Sequence, residues 1–272
     1  MKDNEKDTLG NRMKVYEANA TEYSGNALPV VIRLDGSAFH TWTRKAMLKK
    51  PFDMRLIRAM QNTTLALCGN IPGCVMGYTQ SDEISLAIRC DQSEKSEPWF
   101  GNRMQKLCSI SASICTAWFN EFIAEEMKRP PESALPGQAW IAAPAPPKAY
   151  FDSRVIYMPT ADEVINCFIW RQNDCIKNSV SSMAQSMFSQ RQLSGKRRDE
   201  QIAMMMESGF DWNSLEPCKK YGTLVHMRKS AGEYNGVSFE RSVFFIDDGI
   251  RKFTDDRGFL QNAYDFRKSD CV

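Results

Sequence analysis

Histidine is scarce in this 272-residue sequence: only His40 and His226 are present. A zinc site would therefore have to draw mainly on cysteine. The nine cysteines, at positions 68, 74, 90, 108, 115, 167, 175, 218 and 271, include no CxxC pair. Their odd number, and their placement in apolar runs such as Leu65 to Cys68, describe buried thiols in a reducing compartment rather than a disulfide framework. No apolar run approaches the roughly 18 residues of a membrane helix. The opening MKDNEKDTLGNRMK is charged and lacks the apolar segment of a secretory signal. The expectation is a cytoplasmic protein with no membrane partner. Net charge is nearly absent too, at +2, and does not single out a polyanionic partner. Its distribution is more telling: cations gather at Arg44, Lys45, Lys49 and Lys50, at Lys196 to Arg198, and at Lys219 and Lys220.

What is present is an ordinary globular composition, 43% hydrophobic and 25% charged, in a chain long enough to bury a large core. Residues 1 to 28 form a charged lead-in, with a helix predicted from Thr8 to Ala20. PVVIRLDG is a buried strand ending on an acid and a glycine. Met54, Ile57, Met60 and Leu65 recur at helical spacing, with Asp53 as N-cap and Pro72–Gly73 as terminator. CVMGYTQSDEISLAIRC gives two strands joined near Gln80 to Glu83. The apolar spacing from Trp99 to Met127 predicts one long amphipathic helix. Six prolines between Pro130 and Lys148 exclude regular structure there. FDSRVIYMP supplies a further strand.

The order β, α, β, β, α, β is that of an α+β, ferredoxin-like fold, four antiparallel strands with two helices on one face, shared by RNA-recognition modules, nucleotide cyclases and polymerase palms. Beyond Thr160 the pattern predicts helices to about Gln190 and from Lys196 to Ser208. Short strands follow at Gly222 to Arg228 and Val237 to Phe245. The tail after Arg251 is polar and receives no role. The expected organisation is thus a catalytic core over residues 1–160, with a helical and mixed portion over 161–272 packed on it as one compact unit.

In the ferredoxin-like order the first and third strands are central neighbours, so Asp35 should lie beside Asp82 and Glu83 at one edge of the sheet. Carboxylates crowded in this way repel unless a cation lies between them. Mg²⁺ suits such hard oxygen ligands, binding through one or two carboxylates plus substrate phosphates. Gly36 would let the backbone approach closely. His40, Lys50 and Ser81 fall near the same edge, where Lys50 could neutralise triphosphate charge. Arg103 and Lys106 share a face at the start of the long helix and could hold phosphates. Each has a plainer reading: Asp82–Glu83 as a solvated hairpin, Lys50 as a surface charge, His40 as a packed ring, Arg103 and Lys106 as the wet side of a helix. Trp170 and Arg171 admit a structural reading, with the indole packed and the guanidinium bonded to an acid.

In order along the chain, RLDGSAFHTWT (33–43), KKPFDMRL (49–56), YTQSDEISL (78–86), NRMQKL (102–107), FDSRV (151–155) and WRQNDCIKNS (170–179) resemble the tRNA(His) guanylyltransferase superfamily. The resemblance implies a nucleotidyltransferase that adds nucleotides in the 3′-to-5′ direction to the 5′ end of tRNA, once that end has been activated by ATP or GTP. It implies two Mg²⁺ ions held by Asp35, Asp82 and the Gly36 carbonyl, with Glu83 as an accessory acid. It also implies nucleotide contacts from His40, Lys50, Asp53, Ser81, Arg103 and Lys106, and a homo-oligomer, commonly a tetramer. One departure stands out. The eukaryotic enzymes carry HINN where this chain has Ile176, Lys177, Asn178 and Ser179. Loss of that histidine resembles the guanylyltransferase-like branch, which is associated with template-dependent repair of truncated tRNA 5′ ends. Addition of a single guanylate to histidine tRNA is the alternative.

An RNA-facing surface at Lys177, Asn178, Lys196, Arg197 and Arg198 is a further expectation, since clustered cations can follow a phosphate backbone. Two other function classes share the fold. A non-catalytic RNA-recognition module would show an RGFGFV-like strand, which is absent, and has no use for Asp35 with Asp82. A diguanylate-type cyclase would show a GGDEF-like hairpin in place of QSDE.

Overall fold

A computed structural model describes residues 28–91, 96–129, 144–234 and 237–266. The N-terminal helix, most of the proline-rich segment and Cys271 fall outside these. The first strand, β1 (Val30–Gly36), buries both of its faces, as expected of an apolar β-branched run at the centre of a sheet. A short helix, α1 (Phe39–Lys45), follows at once, entered through Ala38 in the left-handed region. The sequence reading missed it, because seven residues are too few to establish a helical period. Helix α2 (Met54–Asn70) begins at Asp53, whose carboxylate accepts the Arg55 amide as the N-cap rule requires. Strands β2 (Cys74–Gln80) and β3 (Glu83–Ile88) form the expected hairpin.

The segment read as one helix from Trp99 is broken. Phe100, Gly101 and Asn102 adopt positive φ, so a 3₁₀ turn (Trp99–Asn102) precedes α3 (Met104–Met127). By length and hydropathy α3 is long and apolar enough to cross a membrane, contrary to the sequence expectation. Its row Leu107, Ser111, Cys115, Phe119 and Ile123 is packed into the core. Strand β4 (Phe151–Tyr157) completes the ferredoxin-like unit.

Helices α4 (Ala161–Met187), α5 (Gln190–Leu193), α6 (Arg198–Glu207) and α7 (Pro217–Tyr221) come next. Strands β5 (Thr223–Tyr234) and β6 (Val237–Asp247) form a hairpin longer than the sequence suggested. Together they make one antiparallel sheet in the order β4-β1-β3-β2-β5-β6. The expected four strands are its first four, with β1 and β3 adjacent as predicted. Two strands from the C-terminal portion extend the same sheet.

Helices cover both faces rather than one. Val30, Ile32, Leu34, Ile84 and Leu86 pack on α2 and α3. On the other face Val31, Val75, Tyr78 and Ala87 pack on Val164, Ile165 and Phe168 of α4. The polar tail is also part of the core, because α8 (Arg257–Asp265) buries Leu260, Ala263 and Tyr264 against that second face. Its spaced apolar residues were hidden by the charges between them.

Candidate active site

Alternation along β1 decides what faces what. Ile32 and Leu34 point to α2 and α3, so Arg33 and Asp35 point to the α4 side. Asp35 pairs in register with Glu83 on one side and with Asp152 on the other. The Gly36 amide donates to the Asp82 carbonyl at 3.1 Å, tying the end of β1 to the β2–β3 turn. Gly36 is required by packing: a Cβ there would lie 2.2 Å from the Phe39 ring. Ser81 holds the turn with φ 51°, and its hydroxyl donates to Asp82 Oδ1 at 3.0 Å.

Burial pushes the Asp82 carboxyl above its usual range, the neighbouring charge of Asp35 pushes the same way, and the Ser81 hydroxyl opposes them. Burial is the larger cause, and Asp35 adds to it as a neighbouring like charge. Among the described residues no cluster of three or more His, Cys, Asp or Glu side chains could cage an ion. A pair of carboxylates fits Mg²⁺, which completes its octahedron with water and substrate phosphates.

Glu83 is committed elsewhere. Arg171 Nε donates to Oε1 at 2.6 Å and Arg171 Nη2 to Oε2 at 2.8 Å, and Arg171 also reaches Asp174 at 2.9 Å. Burial still raises the Glu83 pKa, with Arg171 opposing. The structural reading of Arg171 thus describes its geometry. Trp170 is different: its indole is 56% exposed and stacks on the Arg171 guanidinium at 4.4 Å. Gln172 staples α4 to the later chain, donating to the Arg251 carbonyl and accepting the Phe253 amide at 2.6 Å.

A cleft of about 570 Å³ opens beside Asp82. His40, Lys50, Asp53 and Ser81 all line it, with Lys49 below and Ser182 and Gln185 of α4 opposite. His40 is exposed into this space; the packed ring is Phe39. A second lobe of about 380 Å³ shares Asp53, Ser81 and Ser182 and runs on to Asn178. Asp53 is tightly held, accepting the amides of Lys49 and Arg55 and the Arg55 guanidinium at 2.6 Å. Burial would raise its pKa, but these donors outweigh it and hold the carboxyl below its ordinary range.

The remaining expected residues are not brought into the cleft. The Tyr157 hydroxyl donates to the Asn102 carbonyl, and Tyr157 pairs with Val30, so Arg103 starts α3 at the strand end remote from Asp35. Lys106, one turn on, lies over the Phe100 ring. Lys177 is exposed on α4. Lys196 and Arg197 both pair with Glu200, and Arg198 pairs with Asp199. Ile176, at the position of the eukaryotic histidine, is 5% exposed and packs with Val180, Met205 and Trp212, facing away from the cleft. Sequence reasoning left Asp152 unassigned, although its place in FDSRV puts it directly across from Asp35.

The family model for tRNA(His) guanylyltransferase matches residues 10–159. The chain belongs to the tRNA(His) guanylyltransferase family. A solved bacterial guanylyltransferase-like protein in complex with ATP superposes with a TM-score of 0.78 at 34% identity, covering 94% of this chain and 99% of that one. Its complex with GTP gives 0.76 at 33% identity, covering 96% and 100%. The tRNA(His) guanylyltransferase of Debaryomyces hansenii is 25% identical over 212 residues, 72% of each chain. Membership makes this chain a nucleotidyltransferase of the class that adds nucleotides at tRNA 5′ ends, on the palm-like fold that the resemblance implied.

Proposed function

We propose that this guanylyltransferase-family enzyme extends 5′-truncated tRNA in the 3′-to-5′ direction, copying the opposing strand. The observation carrying this reading is the Gly36 amide bonded to the Asp82 carbonyl, which ties Asp35 at the end of β1 to the turn bearing Asp82, beside a cleft lined by Asp82, His40, Lys50 and Ser81. In the first step a 5′-phosphate oxygen of the RNA attacks the α-phosphorus of ATP or GTP and pyrophosphate leaves. In the second, the 3′-hydroxyl of the incoming nucleotide attacks the activated 5′ phosphorus and the nucleoside monophosphate leaves.

Asp35, Asp82 and the Gly36 carbonyl would hold Mg²⁺, which supplies charge neutralisation on the leaving phosphates and a more acidic attacking oxygen. Lys50 neutralises triphosphate charge, and Ser81 orients Asp82 while presenting its hydroxyl to phosphate. His40 and the held Asp53 shape the nucleotide pocket. Glu83 acts through Arg171, as a positioning residue for the turn that presents Asp82. Arg103 and Lys106 take no part in this cleft within one chain. The bound ATP and GTP of the bacterial relative support both as substrates here. We place the enzyme in the cytoplasm, where its free thiols are stable, and expect a homo-oligomer of the tetrameric kind.

The buried Ile176 favours repair over histidine-tRNA guanylation, because that position offers no polar group to RNA. Extension of a tRNA lacking its first nucleotide, with the opposing base varied, tests this. Base-matched growth is expected; addition of guanylate to histidine tRNA alone would establish the alternative.

A further inference from the structure

At the expected RNA surface, Glu200 and Asp199 already pair with Lys196, Arg197 and Arg198 and offset two of the three charges. A different surface carries unspent charge. From Gly36 to Phe52 the sequence has no acidic residue and contains Arg44, Lys45, Lys49 and Lys50. All four are exposed, and none pairs with a described carboxylate. Lys148 joins them, because the carbonyl of Pro147 beside it accepts Trp42 Nε1 at 2.8 Å. Tyr150 completes the rim. Its carbonyl accepts the Ser37 amide at 2.8 Å, two residues from Asp35, and its ring is 65% exposed.

This rim is rigid. Phe39 and Trp42 of α1 stack at 4.8 Å, and both pack on Phe119, with Phe151 against Phe39 at 5.2 Å. Cations fixed on such a base lose little freedom on meeting phosphates. An exposed aromatic beside a basic track is the combination that receives an RNA end, through stacking on one part and phosphate contact on the other.

We propose that Arg44, Lys45 and Lys148 dock the phosphate backbone of the substrate RNA, with Tyr150 stacking on the base at its 5′ end. This rests on the function proposed above and assigns the surface that delivers the RNA to Asp35 and Asp82. A second copy of this chain is the competing occupant, and the like charges of Arg44, Lys45 and Lys148 oppose self-association there.

The test is equilibrium binding of 5′-truncated tRNA, read without turnover at several salt concentrations, for Arg44→Ala/Lys45→Ala, Arg197→Ala/Arg198→Ala and Tyr150→Ala. The first variant is expected to lower the slope of log affinity against log salt by about 2, roughly one per phosphate contact, with ATP affinity unchanged. Tyr150→Ala is expected to weaken binding about tenfold and Tyr150→Phe to restore it. An unchanged slope for Arg44→Ala/Lys45→Ala overturns the proposal, as does a larger loss for Arg197→Ala/Arg198→Ala. Unchanged RNA binding with an altered oligomeric state would assign the rim to a second copy and also overturn it. Failure here leaves nucleotide addition by the unaltered enzyme measurable. Absence of that addition sinks the functional reading instead.

Discussion

Arg171 grips Glu83 with two hydrogen bonds of 2.6 and 2.8 Å, and so offsets the charge of one of the three acids Asp35, Asp82 and Glu83. The side chains are 8% and 12% exposed, so this is a buried pair that ties α4 to the start of β3. Removing one partner leaves an uncompensated charge. Arg171→Ala is expected to destabilise the fold by about 3–5 kcal/mol in chemical denaturation. A loss under about 1 kcal/mol, the range of surface pairs, would mean that the pair does not organise the turn.

At Asp82 burial is opposed by hydrogen bonds and not by a cationic side chain. Its folded pKa is raised, chiefly by burial and then by Asp35, above the unfolded value of 3.8. A carboxyl shifted upward favours the fold when protonated, so its contribution is present below the unfolded pKa and is lost as pH rises through the folded pKa. Near neutral pH Asp82→Asn should therefore raise the melting temperature of the metal-free protein while abolishing nucleotide addition. Mg²⁺ should stabilise the unaltered chain more than the variant, since a ligand of the native state raises its apparent stability. Equal stabilisation of both by Mg²⁺ would contradict the assignment.

Asp53 reverses the sign. Its donors hold its pKa below 3.8 despite burial, so its contribution is present above the unfolded pKa and lost as pH falls through the folded one. Asp53→Ala removes the α2 cap and should cost about 0.5–2 kcal/mol at pH 7. The difference from the unaltered chain should shrink as both are titrated below pH 3.8. A difference independent of pH would assign Asp53 a packing role alone.

Much of this site was legible because β1 and β3 are neighbours in any ferredoxin-like order, which brings Asp35 to Asp82 from sequence alone. Glu83 falls beside Asp35 as expected, but its partner was harder to identify. It is adjacent to Asp82 in sequence, yet its partner Arg171 lies 88 positions away on a helix whose seat on the sheet no local pattern reveals. The same limit hid α8, whose burial depends on the second face of the sheet, and the seven-residue α1, which is held by aromatic stacking rather than by propensity. Arg103 precedes α3 as its cap rather than lying in it, and helical spacing could not say at which end of the sheet that helix begins.

Gly36 offers a test of α1's placement. Gly36→Ala would drive a methyl into the Phe39 ring, which backbone and ring shifts must relieve at about 1–3 kcal/mol. Adding Phe39→Leu should recover part of that stability. Full stability in Gly36→Ala alone would show that Phe39 does not hold α1 against the strand end.

The most direct test of the account is Mg²⁺-dependent extension of a tRNA lacking its first 5′ nucleotide by the unaltered chain, Asp35→Ala and Asp82→Ala, each variant checked for folding by thermal melting. The account predicts extension by the unaltered chain only with Mg²⁺, and a loss of at least about a hundredfold in each variant. Comparable Mg²⁺-dependent rates in either folded variant would contradict it.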